Sequence, residues 1–438
     1  MIKIKNTLSY NKMRLDILSG NVTGIWDENN FFMGSSSSPI MKYHYLTANF
    51  TNFEKHFSKK MPKISYHLSG YGVNFNETLV SFIGESIERY AFSLLPEIIK
   101  SKVILSSYSL LNEKMTNDII CDLKYVNSYY SMSEVNNYVK ADDFIRWIPM
   151  NSLIYSDKKV WMPLQFVVMY TEQLFTDEKR YVTTAVSTGT ACHEDELKSI
   201  ENALIECLQI DSFNLWWYGG LEEKEINFDV EKNISLWFKN NISIPRFLND
   251  FTIKFSDISY DKNIYVVLCE IEAKNDKSNL PKYTVGVQGG YDFEKSIYRA
   301  YMECMTVLEY NMNVSWTDKE KFISVGQDNK VIDNLDDNVI FYSKYGKPNL
   351  LKKQNSMLSE SLANTKNLKG LLEKISEVSV YAAVLTVTPP EFKNINCEVS
   401  RVIVPELLPI SLPSYPPYKH ERYKSIGGVL NHLPHPIA

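Results

Sequence analysis

One pattern occurs three times in this chain and constrains its fold more than any other feature. A short apolar stretch with glycine leads into a polar or acidic turn, and a long helix-forming run follows. The copies are ISYHLSGYGVNFNETLVSFIGESIERYAFSLL from position 64, YVTTAVSTGTACHEDELKSIENALIECLQIDSFNLWW from 181 and YTVGVQGGYDFEKSIYRAYMECMTVLEY from 283. The glycines suit tight reversals of the chain. Asn76, Asp195 and Asp292 stand near the predicted helix starts, where a side-chain oxygen can cap free amides. Between the copies, KVWMPLQFVVMY (159–170) and NIYVVLCEIEA (263–273) read as strands. The expectation is an α+β fold of repeated strand–turn–helix units.

The three helices carry one stripe in common. Ser81, Glu85, Glu88 and Phe92 stand at i, i+4, i+7 and i+11. Asn202, Glu206, Gln209 and Phe213 repeat that spacing, as do Arg299, Glu303, Thr306 and Tyr310. Such spacing puts four side chains on one face of a helix. A second stripe of the first helix, Val80, Ile83, Ile87, Ala91 and Leu94, is the expected core face. For a single helix, a solvated surface is the ordinary reading of such glutamates, and Glu85 with Arg89 is an ordinary i, i+4 pair. Solubility needs no register, however, and here the middle position is glutamate in every copy.

Carboxylates and amides that converge repel one another unless cations lie among them. Oxygen ligands suit hard cations, and magnesium takes one or two carboxylates together with substrate phosphates. Arg89 and Arg299 can then grip phosphate oxygens. The chain has no GxxxxGK[ST] loop and no kinase motif set, so the expected nucleotide–magnesium site is a non-standard one.

With 438 residues, 44% of them hydrophobic and 23% charged, the chain can bury a sizeable core as one large fold or as two to three domains. A net charge of −5 argues against nucleic acid. The cysteines at 121, 192, 207, 269, 304 and 397 form no CxxC pair, so neither a zinc ribbon nor a disulfide framework is expected. Free thiols, an N-terminus without a signal-like apolar region and the lack of a membrane-length apolar run lead to the expectation of a cytoplasmic chain. We divide it into an N-terminal segment (1–63) with a few strands and a main domain (64–438). The main domain includes a polar elaboration at 315–375, helical near 356–376, and a proline-rich, extended tail at 403–438.

The motif Ser81-x3-Glu85-x2-Glu88-Arg89 resembles the signature of the YcaO family. So do Asn202-x3-Glu206-x2-Gln209 after STGTA (187–191) and Arg299-x3-Glu303 after VGVQGGYD. The resemblance covers roughly 64–438 and implies a YcaO-type fold around a site for ATP and Mg2+. By carry-over, Glu85, Glu88, Glu206, Gln209 and Glu303 would hold magnesium or position the nucleotide. Ser81, Arg89, Asn202 and Arg299 would contact nucleotide or phosphate. The resemblance further implies an ATP-dependent cyclodehydratase subunit of the streptolysin- or microcin-like type. Such an enzyme phosphorylates a backbone amide oxygen so that Cys, Ser or Thr of a precursor peptide closes to a thiazoline or oxazoline. Thioamide or amidine formation and a catalytically silent scaffold are the alternatives.

The implied partners are the precursor peptide, a separate E1-like leader-binding protein, a flavin-dependent dehydrogenase and a second copy of the chain. The tail ends Pro434-His435-Pro436-Ile437-Ala438, a PxP without the family's final proline. Its general-base candidates are His435 and the terminal carboxylate of Ala438. Two departures stand out. Gly70-Tyr71-Gly72 replaces a Gly-Lys-Gly turn, and Gln209-Ile210-Asp211 replaces Glu-Arg-Asp.

Overall fold

The structure is a computed structural model and describes residues 14–19, 24–33, 41–50, 67–129, 138–168, 181–182, 187–239, 244–260, 264–275, 280–327, 331–353 and 365–437. Three sheets organise it. The first is antiparallel and joins β1 (Trp26–Met33), β2 (His44–Phe50) and β3 (His67–Gly72) in that order. Thr47 pairs with Ser69 in it, so part of the N-terminal segment is hydrogen-bonded to the first repeat. The second, seven-stranded sheet contains β4 (Ile104–Ser107), β5 (Ile119–Ile120), β6 (Phe144–Ser152), β7 (Lys159–Pro163) and β8 (Thr190–His193). The third holds β9 (Lys224–Glu225), β10 (Phe251–Asp257), β11 (Tyr265–Ala273) and β12 (Tyr283–Gly290). Strands β13 (Ala383–Thr386) and β14 (Glu398–Ile403) complete the second sheet, and β14 pairs with β8 so that Arg401 faces Thr190.

The repeats supply the three long helices, α1 (Phe75–Ile99), α2 (Glu196–Trp217) and α3 (Phe293–Thr317). Each starts at a side-chain cap. Asn74, Asp195 and Asp292 accept the amides of Glu77, Lys198 and Lys295, and an acidic residue in the first turn meets the positive helix end. The cap of α1 is therefore Asn74, two residues before the expected Asn76. The helices and strands close a ring, with α1 packed on β3 and β8, α2 on β8 and β12, and α3 on β12 and β3.

Gly70 lies inside β3 and permits close approach rather than a turn. A Cβ there would lie 2.4 Å from the Phe82 nitrogen and 2.5 Å from the Thr78 oxygen of α1. Gly189, ahead of β8, has φ +85, a left-handed value that glycine alone adopts freely.

Other expectations are corrected by packing. Ile83, Ile87 and Ala91 are buried, but Val80 is 54% exposed. The true core face adds Phe82, Tyr90 and Leu95. The stretch from 159 is a strand only to Pro163, which starts a short helix (Leu164–Val167); residues 169–170 lie outside the described ones. Helix α4 (Asp337–Tyr345) and helix α5 (Leu368–Ile375) fall within the polar elaboration, and 354–364 lie outside the described residues.

Beyond Ile403 the tail is a run of turns and irregular backbone rather than the expected extended segment, with one short helix, α6 (Glu421–Ser425), and it grips the C-terminal half of α2. The Asn214 amide donates to the Leu408 and Pro409 carbonyls, the Trp217 indole to Leu433 O and the Asn431 amide to Trp217 O. The buried Asp211 accepts Leu408 N–H at 2.9 Å and binds Arg422 through Nε at 3.0 Å and Nη2 at 2.7 Å.

Candidate functional site

Each motif helix sends its glutamate back to its own strand. Glu85 Oε2 accepts the amide of Ser69 at 2.8 Å. Glu206 Oε2 accepts the amides of Gly189 at 3.1 Å and Thr190 at 3.3 Å, and Glu303 Oε2 accepts that of Val287 at 3.2 Å. Carboxylate and strand amide are 16 residues apart in every copy.

The next polar residue of the stripe crosses to the neighbouring strand. Glu88 accepts Cys192 N–H at 2.8 Å and Gln209 accepts Gly289 N–H at 2.7 Å. Those amides lie two residues beyond the Thr190 and Val287 amides, on the same edge of the strand. In α3 the corresponding residue is Thr306, whose hydroxyl turns to Met302 O in its own helix.

This packing brings Glu85, Glu88, Arg89, Glu206, Arg299 and Glu303 within electrostatic reach of one another, with Gln209 bonded to the strand that carries Val287. Arg89 is 3.7 Å from Glu85, and its charge also bears on Glu88 and Glu206. Arg299 lies 3.6 Å from Glu77 and 5.1 Å above the Tyr71 ring, and its charge reaches Glu303. Ser81 is half-buried and Asn202 exposed, one turn earlier on the stripe. Gln209 is fully engaged, since its nitrogen also donates to Val287 O at 2.9 Å.

The electrostatics identify a site short of positive charge. Burial raises Glu88 to about 8, against the pull of Arg89 and the Cys192 amide. Burial raises Glu206 to about 7, opposed by Arg89 and the Gly189 amide, and raises Glu303 to about 8, opposed by the Val287 amide and Arg299. Among the described residues, the second oxygen of Glu88, Glu206 and Glu303 has no hydrogen-bond partner. Each carboxylate is therefore oriented by one oxygen and offers the other. Among the described residues, no group of three His, Cys, Asp or Glu side chains is placed to hold a metal ion by itself. This donor set fits magnesium carried on phosphates, which needs only one or two carboxylates from the protein.

Among the described residues, His435 hydrogen-bonds to none of these groups. His435 is fully buried, edge-on to Phe213 and Tyr218. Its Nε2 is 2.8 Å from Ser411 O and its Nδ1 is 3.3 Å from the Asn338 amide, and burial lowers it to about 4. Asn338 also donates to the His435 and Ile437 carbonyls, which seats the tail on α4. Ala438 lies outside the described residues.

Sequence reasoning missed Arg401, Asn338 and the Asp211–Arg422 pair. The constant separation of 16 residues between strand and glutamate was a signal that could have located the amides. Nothing in the run RVIV marks Arg401 as special, because its partners come from distant parts of the chain.

A family model described as "YcaO cyclodehydratase, ATP- and Mg2+-binding" matches residues 69–408. Three solved structures share the fold. One is titled as a heterocyclase in complex with substrate and cofactor (16% identity, TM-score 0.61, 98% of this chain and 57% of that one). Another is the E. coli microcin synthetase McbBCD complex (13%, 0.58, 89% and 90%). The third is YcaO from Methanopyrus kandleri bound with AMPPCP and Mg2+ (12%, 0.55, 92% and 89%). The chain thus spans little more than half the heterocyclase's length. No curated protein matches it by sequence. Among the described residues, no helix is long and apolar enough to cross a membrane.

Proposed function

The chain belongs to the YcaO family, and from that premise we propose that it is the ATP-dependent cyclodehydratase subunit of a peptide-modifying complex. The observation that carries this reading is the trio Glu88, Glu206 and Glu303. Each is clamped by a strand amide through one oxygen and, among the described residues, has no hydrogen-bond partner at the other. Desolvated carboxylates in that state gain most from a cation, and magnesium on a nucleotide supplies one. In this reading Glu85, Glu88, Glu206 and Glu303 hold the metal-bound nucleotide, Gln209 keeps α2 on β12, and Arg89 and Arg299 hold phosphate oxygens. Bound Mg·ATP supplies a transferable phosphoryl group whose charge the metal offsets.

The reaction then balances as follows. A Cys, Ser or Thr side chain of the peptide adds to the preceding carbonyl carbon and loses its proton. That addition closes the five-membered ring; the former carbonyl oxygen then takes the γ-phosphoryl group of ATP, releasing ADP, and leaves as phosphate while the amide nitrogen loses its proton, which forms the C=N bond of the azoline. The chain's residues orient the nucleotide and exclude water. Partner proteins belong to the proposal because one fold neighbour is titled as a synthetase complex; a separate leader-binding protein and a dehydrogenase are what the family resemblance implies.

The test uses purified chain, candidate precursor peptide and partner protein with Mg·ATP, read by mass spectrometry. One water is lost for each ring formed. Glu85→Ala and Arg89→Ala should stay folded and lose ATP turnover. Normal heterocycle formation by either variant would refute the site.

A further inference from the structure

Arg401 is a cation where the fold calls for an apolar residue. It lies in β14 between Val399 and Val402, both wholly buried, and is itself 1% exposed. Burying an ionised group is costly unless its partners are well arranged. Yet among the described residues Arg401 hydrogen-bonds to no carboxylate. Its Nη1 donates to Thr188 O at 2.6 Å and to Thr190 Oγ1 at 3.1 Å, and its Nη2 to Phe166 O at 3.0 Å. The guanidinium lies 5.3 Å above the ring of Phe92, one turn beyond Glu88 on the α1 stripe.

Two of these three acceptors belong to one turn, Thr188–Thr190. The other side of that turn points its Gly189 and Thr190 amides at Glu206. The turn is thus held between a guanidinium and a carboxylate. It has little freedom to drift, since a Cβ at Gly189 would lie 2.2 Å from Val402 O and Thr188 Oγ1 accepts Ile410 N–H at 3.1 Å. If stability alone were at stake, an apolar side chain at 401 would serve as well, since buried ionic groups are often replaced without loss. What an apolar residue cannot supply is the planar fork that fixes Thr188 O and Thr190 Oγ1 together.

We propose that Arg401 is a positioning residue of the nucleotide site, holding the Thr188–Thr190 turn in the form that aims Glu206 at the metal-bound phosphates. This rests on the reading of Glu206 as a ligand of that group. Arg401 makes no contact with nucleotide in this assignment and acts through the turn.

The test compares Arg401→Met and Arg401→Lys with the parent chain. Amide hydrogen exchange of 187–191 is measured without nucleotide, and Mg·ADP affinity by calorimetry. In Arg401→Met, exchange at the turn rises and Mg·ADP affinity falls by about tenfold or more, the scale of losing charge-assisted hydrogen bonds, while exchange in α2 and β12 stays at the parent level. Arg401→Lys restores part of the affinity, since it returns the charge without the fork. Parent-like exchange at the turn, or exchange rising equally throughout β8, β14 and α2, overturns the proposal. If Arg401→Met does not fold, Arg401→Lys decides alone, and parent-like exchange and affinity in it overturn the proposal. Failure of the parent chain to bind Mg·ADP would instead refute the reading of Glu206, and the exchange data would still decide whether Arg401 holds the turn.

Discussion

Replacing Asp211 by alanine should detach the tail from α2 without unfolding the rest. Asp211 is fully buried, whereas the side chain of Arg422 retains 19% exposure. The substitution removes a two-point ion pair, at 3.0 and 2.7 Å, and leaves Leu408 N–H without its acceptor. Breaking a buried pair from one side costs about 3–5 kcal/mol. Arg422 can turn partly to water, which puts its share at the low end, while an unsatisfied buried amide adds about 1–3 kcal/mol. The expected total is about 4 kcal/mol, located in the tail.

Amide exchange across 404–437 should therefore accelerate by about a thousandfold, since each 1.4 kcal/mol is a factor of ten. Exchange in the centre of α1 should stay unchanged. A double-mutant cycle with Arg422→Met isolates the pair. A coupling near zero, or tail exchange within a few-fold of the parent, would refute the idea that this pair seats the tail.

Three further outcomes are expected. Gly70→Ala should cost about 2–4 kcal/mol in denaturant unfolding, because the new methyl meets the backbone of α1 at 2.4–2.5 Å and neither partner can move alone; a neutral substitution would contradict the close approach of α1 to β3. In the nucleotide-free chain, Glu88, Glu206 and Glu303 keep their protons up to about 8, 7 and 8, whereas 4.5 is their ordinary value. Their contribution to stability is full below the ordinary value and is lost as pH rises through 7 to 8, so unfolding midpoints should fall over that range, and a rise would refute the desolvated trio. Deleting Pro434–Ala438 uncovers Asn338 and Phe213 and removes the buried His435 and Ile437, so the midpoint should drop by the equivalent of about 3–5 kcal/mol; an unchanged midpoint would show that the tail is not part of the core.

The parts of the site that were legible in the sequence are those governed by local periodicity. The i, i+4, i+7 stripe is a consequence of helical geometry, so Glu85, Glu206 and Glu303 could be placed on equivalent faces before any packing was known. Asp195 and Asp292 could be read as caps because a cap acts within its own first turn. The same local logic failed where tertiary neighbours decide. Val80 sits at the right angle on α1 yet faces solvent, and Pro163 cuts the expected strand by starting a short helix.

By itself, the sequence determined three capped helices with matched polar faces and the chemistry those faces can offer to a hard cation. Only the tertiary structure decided how they join. Glu88 reaches Cys192 across 104 residues, Gln209 reaches Gly289 across 80, and Arg401 reaches Thr188 across 213. No local pattern encodes such partners, because a strand amide looks the same in sequence whichever side chain it meets. Their geometry is set when the ring of helices and strands closes. That closure also desolvates the glutamates and makes a charge that would be ordinary on a surface one that seeks a cation.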